Sequence, residues 1–255
     1  AQIRECLEKG WTGSGFKTVE FEQKWKEYTG HPYACYLNSN TSGLHLAVNI
    51  LKRRYGWQDG DEIITTPVTF VSTNHAILYE NLKPVFADVD QYLCLDPADV
   101  EKKITGKTRA VIFVGYGGRV GQLDKVLEIC KQHGLHLILD AAHMSGTRVN
   151  GVTPGTWEGV DVAVYSYQAV KNLPTGDSGM ICFADGELDA ECRKVSWMGI
   201  NKDTYARTSS EGTYKWNYGV DYVGYKYNGN AIMAAIALAQ LPYLDEENVR
   251  RREIV

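Results

Sequence analysis

The 255 residues contain no apolar run long enough to cross a bilayer as a helix, which takes about 20 residues. The opening Ala1-Gln-Ile-Arg-Glu-Cys6 lacks the apolar centre of a signal peptide. Positive charge is not in excess: 27 Lys and Arg face 31 Asp and Glu, for a net charge of −4, which argues against a general nucleic-acid binder. The six cysteines (6, 35, 94, 130, 182, 192) include no C-x-x-C pair, so the commonest zinc and redox motifs are excluded. Internal repeats and low-complexity segments are absent as well. These absences predict a cytoplasmic protein with no membrane and no nucleic-acid partner, its thiols reduced and mostly buried.

What is present is ordinary globular composition, 44% hydrophobic and 23% charged, in a length that suits one large domain or two small ones. Tyrosine is over-used at 16 residues, which suits a site that stacks against and hydrogen-bonds polar rings.

Short apolar strands alternate with helices along the chain. The expected strands are 33–37, 62–65, 84–88, a run from Arg109, 135–140, a run from Asp161, and 179–183. The expected helices are 3–10, one opened by Thr18 (Val19, Phe21, Trp25, Tyr28) that stops at Gly30, then 44–55, a run from Val68, 97–104, 123–133 and 231–244. This pattern predicts an α/β domain with a mostly parallel sheet, whose ligands lie beyond the carboxyl ends of the strands.

Six chemistry-bearing residues fall at those ends: Thr41, Phe70, Asp140, His143, Ser166 and Lys171. Ser166 and Lys171 follow the strand that begins at Asp161, in a polar turn that Pro174-Thr-Gly176 stops from becoming a helix. A lysine there, among small and hydroxyl-bearing residues, can be desolvated and its pKa lowered, as an imine-forming lysine requires. Taken alone it reads more readily as a solvated lysine behind a core strand. The segment Asn38-Ser-Asn-Thr-Ser-Gly43 feeds Thr41 and Ser42 into a helix N-terminus, which is either a plain cap or an anion cradle. Phe70 stands at a strand-to-helix junction, where it is core or the cover of a planar ligand. Asp140 ends a strand, and His143 follows in Asp140-Ala-Ala-His143.

Two cofactors compete for these positions. Val111 to Gly121 is a glycine turn between a strand and a helix, with Asp140 closing the next strand, as in a dinucleotide site of a Rossmann oxidoreductase. Val120 stands where the third glycine belongs, however, and several βα units precede the motif. Pyridoxal phosphate needs a lysine, a carboxylate at the pyridine nitrogen, a phosphate cup and a flat cover. Lys171, Asp140, the group Thr41, Ser42 and Ser166, and Phe70 meet those needs in turn.

The chain also resembles the nucleotide-sugar aminotransferases of fold-type-I pyridoxal phosphate enzymes, the DegT/StrS group, over nearly its whole length. Five ordered stretches carry the resemblance: Gly10-Trp-Thr-Gly-Ser-Gly15 with Glu20-Phe-Glu22, Ser39-Asn-Thr-Ser-Gly-Leu-His45, Asp140-Ala-Ala-His143, Ser166-Tyr-Gln-Ala-Val-Lys171, and Gly224-Tyr-Lys-Tyr-Asn228. It departs from the family pattern at Gly115 and Arg119-Val-Gly121, at Gln168 where histidine is common, and at Ala231 where aspartate is usual.

The resemblance implies the PLP-dependent transferase fold, a mostly parallel mixed sheet sandwiched by helices. It implies that 1–255 is the large domain, with a few N-terminal residues and the smaller C-terminal domain absent. It implies transfer of an amino group from glutamate to a nucleotide-linked keto-deoxysugar by Lys171, Asp140 and His143. The cofactor would be held by Thr41, Ser42, Phe70, Asp140, His143, Ser166 and Lys171, with Asn228 reaching the phosphate of a neighbouring subunit in a homodimer. No metal is expected. The sugar-dehydratase relatives carry histidine at the lysine position, and a non-catalytic PLP-binding regulatory module is the remaining alternative. Residues 204–219, rich in tyrosine and hydroxyls, read as a long substrate loop.

Overall fold

The computed structural model describes residues 1–200 and 219–254. All but the last position of the expected 204–219 loop therefore lies outside the described residues.

The strands are β1 (Tyr33–Leu37), β2 (Glu62–Thr65), β3 (Lys83–Phe86), β4 (Thr108–Val114), β5 (His136–Asp140), β6 (Val162–Ser166) and β7 (Gly179–Phe183). Among the described residues they form one seven-stranded sheet in the order β1-β7-β6-β5-β4-β2-β3. Only β7 runs against its neighbours; the β6-β5, β5-β4, β4-β2 and β2-β3 pairings are parallel. This is the mostly parallel mixed sheet that the sequence predicts.

The helices are α1 (Gln2–Glu8), α2 (Phe16–Thr29), α3 (Asn40–Tyr55), α4 (Val71–Tyr79), α5 (Pro97–Lys103), α6 (Leu123–His133), α7 (Gly186–Val195), α8 (Ala231–Gln240) and α9 (Leu244–Ile254). They cover both faces of the sheet, so the central strands read as continuous apolar runs rather than alternating ones. Successive residues still go to opposite sides. Leu137, Leu139, Ala163 and Tyr165 join the core beneath α2, α6 and α8, while Ile138, Val162 and Val164 join the core beneath α3, α4 and α7.

Several helix boundaries differ from expectation, each for a local reason. Helix α2 opens at Phe16, not Thr18: the Thr18 hydroxyl accepts from the Gly15 N–H at 3.0 Å and closes the helix start from inside. Its buried face is Phe21 and Trp25, and Val19 is exposed. Helix α3 opens at Asn40, four residues before Leu44, because Ser39 caps it. Helix α4 opens at Val71 with Phe70 at its N-cap, and β3 starts and ends earlier than expected. The expected helix 231–244 ends at Gln240. Pro242 cannot donate to an α-helical ladder, so 241–243 is a 3₁₀ turn that redirects the chain into α9. All six cysteines are free thiols and buried, as expected. No helix among the described residues is long and apolar enough to cross a membrane.

Candidate active site

The carboxyl ends of β4, β5 and β6 and the N-terminus of α3 meet around a cleft of about 520 Å³. Thr41, Phe70, Asp140, His143, Ser166 and Lys171 all line it. Six residues scattered over 130 positions are thus brought to one place by parallel topology, which puts the carboxyl ends of all the sheet's strands but β7 on the same edge.

Asp140, the last residue of β5, is buried. Its Oδ2 accepts from the Thr73 hydroxyl at 2.7 Å and its Oδ1 from the Ala142 N–H at 3.2 Å. Burial pushes its carboxyl above the usual range, while those two donors and the nearby His143 and Lys171 pull the other way. The carboxylate retains lone pairs beyond those two bonds, enough to accept from a ligand N–H.

His143 follows in the same turn. The Gly117 N–H donates to its Nδ1 at 3.2 Å, so the neutral ring carries its proton on Nε2. Tyr116 stands edge-on to it, with centroids 5.9 Å apart. Burial, then the Lys171 charge, lowers the imidazole pKa.

Lys171 sits on a turn after β6 that is closed by the Lys171 N–H to the Gln168 carbonyl at 2.8 Å and by the Ala169 N–H to the Gly176 carbonyl at 2.9 Å. Desolvation lowers the pKa of its amine and outweighs the Asp140 charge, which raises it. A larger share of neutral amine is available than on a solvated lysine.

The opposite end of the cleft is built for an anion. The Ser39 hydroxyl caps α3 by accepting from the Ser42 N–H at 3.1 Å. The Asn40 and Thr41 amides, in the first turn, have no carbonyl to meet within the helix, and the helix dipole adds positive potential there. Two glycines let α3 lie directly on the sheet. A Cβ on Gly43 would come within 2.5 Å of Val164 Cγ1, and one on Gly179 within 2.6 Å of the Asn40 N. Asn40 also donates to the Val164 carbonyl at 3.0 Å. Ser166 ends β6 in this corner.

One predicted residue, Ser42, stands away from the cleft, and Asn228, expected at a neighbouring subunit's phosphate, lies outside it too. Ser42 is buried under the cap, its hydroxyl donating to Asn38 Oδ1 and the Ser39 carbonyl, both at 2.8 Å, so Ser39, Asn40 and Thr41 face the cleft in its place. Asn228 pairs with Leu37 at the end of β1, and its Nδ2 donates to the Gly229 carbonyl at 3.1 Å. It does not line this chain's cleft. Phe70 is 75% exposed at the cleft mouth, so the core reading fails and its ring is open to a ligand. Thr73 was missed: a hydroxyl inside a helix carries no signal until the strand it faces is known. The dinucleotide turn is not built, because 116–118 is a 3₁₀ turn and α6 starts only at Leu123.

An amine, an acceptor carboxylate, an anion-binding helix end and an exposed ring around one cleft fit pyridoxal phosphate. A wider groove of about 1050 Å³ opens beside the cleft and shares His143. The chemistry-bearing residues are in the smaller cleft.

Comparison with known proteins agrees with this geometry. The chain is 38% identical over 254 residues to the spore coat polysaccharide biosynthesis protein SpsC of Bacillus subtilis, covering 99% of this chain and 63% of that protein. It superposes on the aminotransferase TlmJ of Streptoalloteichus hindustanus with a TM-score of 0.88 at 33% identity, covering 99% of this chain and 65% of that one. Spr1654 of Streptococcus pneumoniae, in its PMP form, superposes with a TM-score of 0.89 at 26% identity, covering 99% and 67%. The chain thus spans about 64% of the length of the curated relatives it matches. The family model described as DegT/DnrJ/EryC1/StrS aminotransferase matches residues 1–255, and the chain belongs to that family.

Proposed function

We propose that this chain is the cofactor-binding large domain of a sugar aminotransferase that uses pyridoxal phosphate. It takes an amino group from glutamate and passes it to a nucleotide-linked keto-deoxysugar. The observation that carries this reading is the pairing, in one cleft, of the half-buried amine of Lys171 with the buried carboxylate of Asp140. The functions of the relatives support the sugar and the amino transfer; the donor and the nucleotide rest on the resemblance of the motifs.

When bound, pyridoxal phosphate supplies an aldehyde for the amine and a ring that takes up electrons when an α-proton leaves. The residues of this chain do the rest. Asp140 would keep a proton on the ring nitrogen, with Thr73 and the Ala142 amide fixing the carboxylate for that task. His143 would orient the ring hydroxyl, and Phe70 would cover one face and exclude water. The Asn40 and Thr41 amides with the Ser166 hydroxyl would hold the phosphate. Lys171 would hold the cofactor through its amine, and that amine, once free, would move a proton between the substrate α-carbon and the cofactor C4′, first as base and then as acid. A lowered amine pKa serves the base step, which needs the unprotonated form.

Asn228 lies outside its own cleft, with a buried Oδ1 that has no partner among the described residues. The homodimer in which Asn228 completes the partner's phosphate site rests on the resemblance of the stretch Gly224-Tyr-Lys-Tyr-Asn228. The six free thiols fit a reducing cytoplasm.

The test is a visible spectrum with added pyridoxal phosphate, then borohydride and peptide mapping. A yellow band that bleaches with the label on Lys171, and loss of both label and glutamate-dependent amine transfer in Lys171→Ala, is the expected result. A label on another residue, or near-normal turnover in Lys171→Ala, would overturn the assignment.

A further inference from the structure

Helix α9 lies on the surface and touches the molecule at few points. Leu244 is buried, Asn248 is half-buried, and every other residue of the helix is exposed. Leu244 and Asn248 are one turn apart and form the whole inward face. A residue selected only for packing at the second position would be apolar; this one is a carboxamide with its polar atoms used.

Asn248 Oδ1 accepts from Asn172 Nδ2 at 2.9 Å and from Arg251 Nη1 at 3.0 Å. Its Nδ2 donates to the Ser145 carbonyl at 2.9 Å. Asn172 is the residue after Lys171, and Ser145 is two residues beyond His143. Asn172 Nδ2 also reaches the Ser145 carbonyl directly, at a long 3.5 Å, and Asn248 adds two bonds of 2.9 Å between the two loops that carry the site's amine and its imidazole. The fold makes room for that side chain. Gly146 has a φ of +87°, and a Cβ there would sit 2.3 Å from Asn248 Nδ2, so neither the backbone shape nor the space admits another residue easily. The helix is held against these loops from its first turn, where Tyr28 donates to Asp245, and Arg148 pairs with the same carboxylate at 3.8 Å.

We propose that Asn248 is a positioning residue for Lys171: through Asn172 and Ser145 it clamps the Lys171 loop to the His143 loop. This rests on the cofactor reading above for its purpose, though not for its geometry. With the clamp intact, the Lys171 turn stays packed and its amine stays partly out of water. With the clamp gone, the loop loosens, water reaches the amine, and the ammonium form is favoured again.

The experiment is the pH profile of Lys171 reductive methylation, read by mass spectrometry, on the full chain freed of cofactor. In Asn248→Ala the profile should move to higher pH, so that labelling in the rising part is about threefold to tenfold slower, the equivalent of half to one pKa unit. Asn172→Ala, which also removes its own 3.5 Å bond to the Ser145 carbonyl, should shift the profile at least as far, and the double variant should do no more than Asn172→Ala alone. Thermal melting of each variant confirms that it is folded. An unmoved profile in Asn248→Ala, or a double variant whose shifts add, would overturn the clamp and leave Asn248 a packing residue. Borohydride labelling of the wild-type chain with added cofactor is run in parallel. Failure of that label with a shifted methylation profile would sink the cofactor reading and keep the clamp.

Discussion

Replacing Gly43 by alanine tests whether the N-terminus of α3 is the anion site. The new Cβ would stand 2.5 Å from Val164 Cγ1 and 3.3 Å from Leu37 Cδ1. Carbon atoms in ordinary contact are about 3.8 Å apart, so α3 must lift from the sheet by roughly 1.3 Å or Val164 must leave its rotamer. Overpacking of this kind costs about 1–3 kcal/mol, and alanine returns about 1 kcal/mol as the better helix former. The net loss is about 1 kcal/mol, which lowers the melting temperature by about 2–4 °C in a chain of this size. The larger effect is on the ligand. A hydrogen bond to a charged group contributes about 1.5–3 kcal/mol, and a shift of that size forfeits roughly half of it at the Asn40 and Thr41 amides. Pyridoxal phosphate should therefore bind about tenfold more weakly, since 1.4 kcal/mol is tenfold in affinity. The assay is a pair of spectral titrations, with pyridoxal phosphate and with pyridoxal, which lacks the phosphate. Equal weakening for both ligands would refute the placement of the phosphate at α3.

Two further outcomes follow from buried titratable groups. His31 is buried beside the Tyr165 hydroxyl at 2.9 Å, and burial pushes its pKa down to about 4 from 6.5. The unfolded chain takes up the proton first, so stability is full above about pH 6.5 and falls by roughly 3 kcal/mol as the pH drops toward 4; urea unfolding of His31→Gln should show a flatter acid limb, and an unchanged limb would refute the linkage. Asp140 is the opposite case, since burial raises its carboxyl pKa in the folded state. Its cost is absent below the unfolded carboxyl value, grows as pH rises between the two values and is complete above the folded one. Cofactor-free Asp140→Asn should therefore melt above the wild type at neutral pH, with no such gain in strong acid, while it binds the cofactor more weakly.

The strands were the most legible part of the chain. Tyr33–Leu37, Glu62–Thr65 and Gly179–Phe183 are apolar runs bounded by turn residues, and a strand buried on both faces leaves that signature whatever its neighbours are. Helix ends were less legible. Ser39 and Thr18 can start a helix from either side of its first turn, and only the backbone path decides which they do. The ligand-bearing residues were readable as types at strand ends; their aim was not. Ser42 and Thr41 are adjacent hydroxyls on one helix turn, yet one is spent on the cap and the other faces the cleft.

By itself, then, the order of apolar runs and breakers determined an α/β sheet, the ends of its strands, and a lysine, a carboxylate and a capped helix as the parts of one site. These are properties of local periodicity and residue chemistry. Tertiary structure alone decided that Thr73 would hold Asp140, that Phe70 would stand in solvent rather than in the core, and that Asn248 would reach Asn172 across 76 positions. Each of those depends on a second element arriving at the right distance, and pairwise distance between remote residues is not written in either of their neighbourhoods.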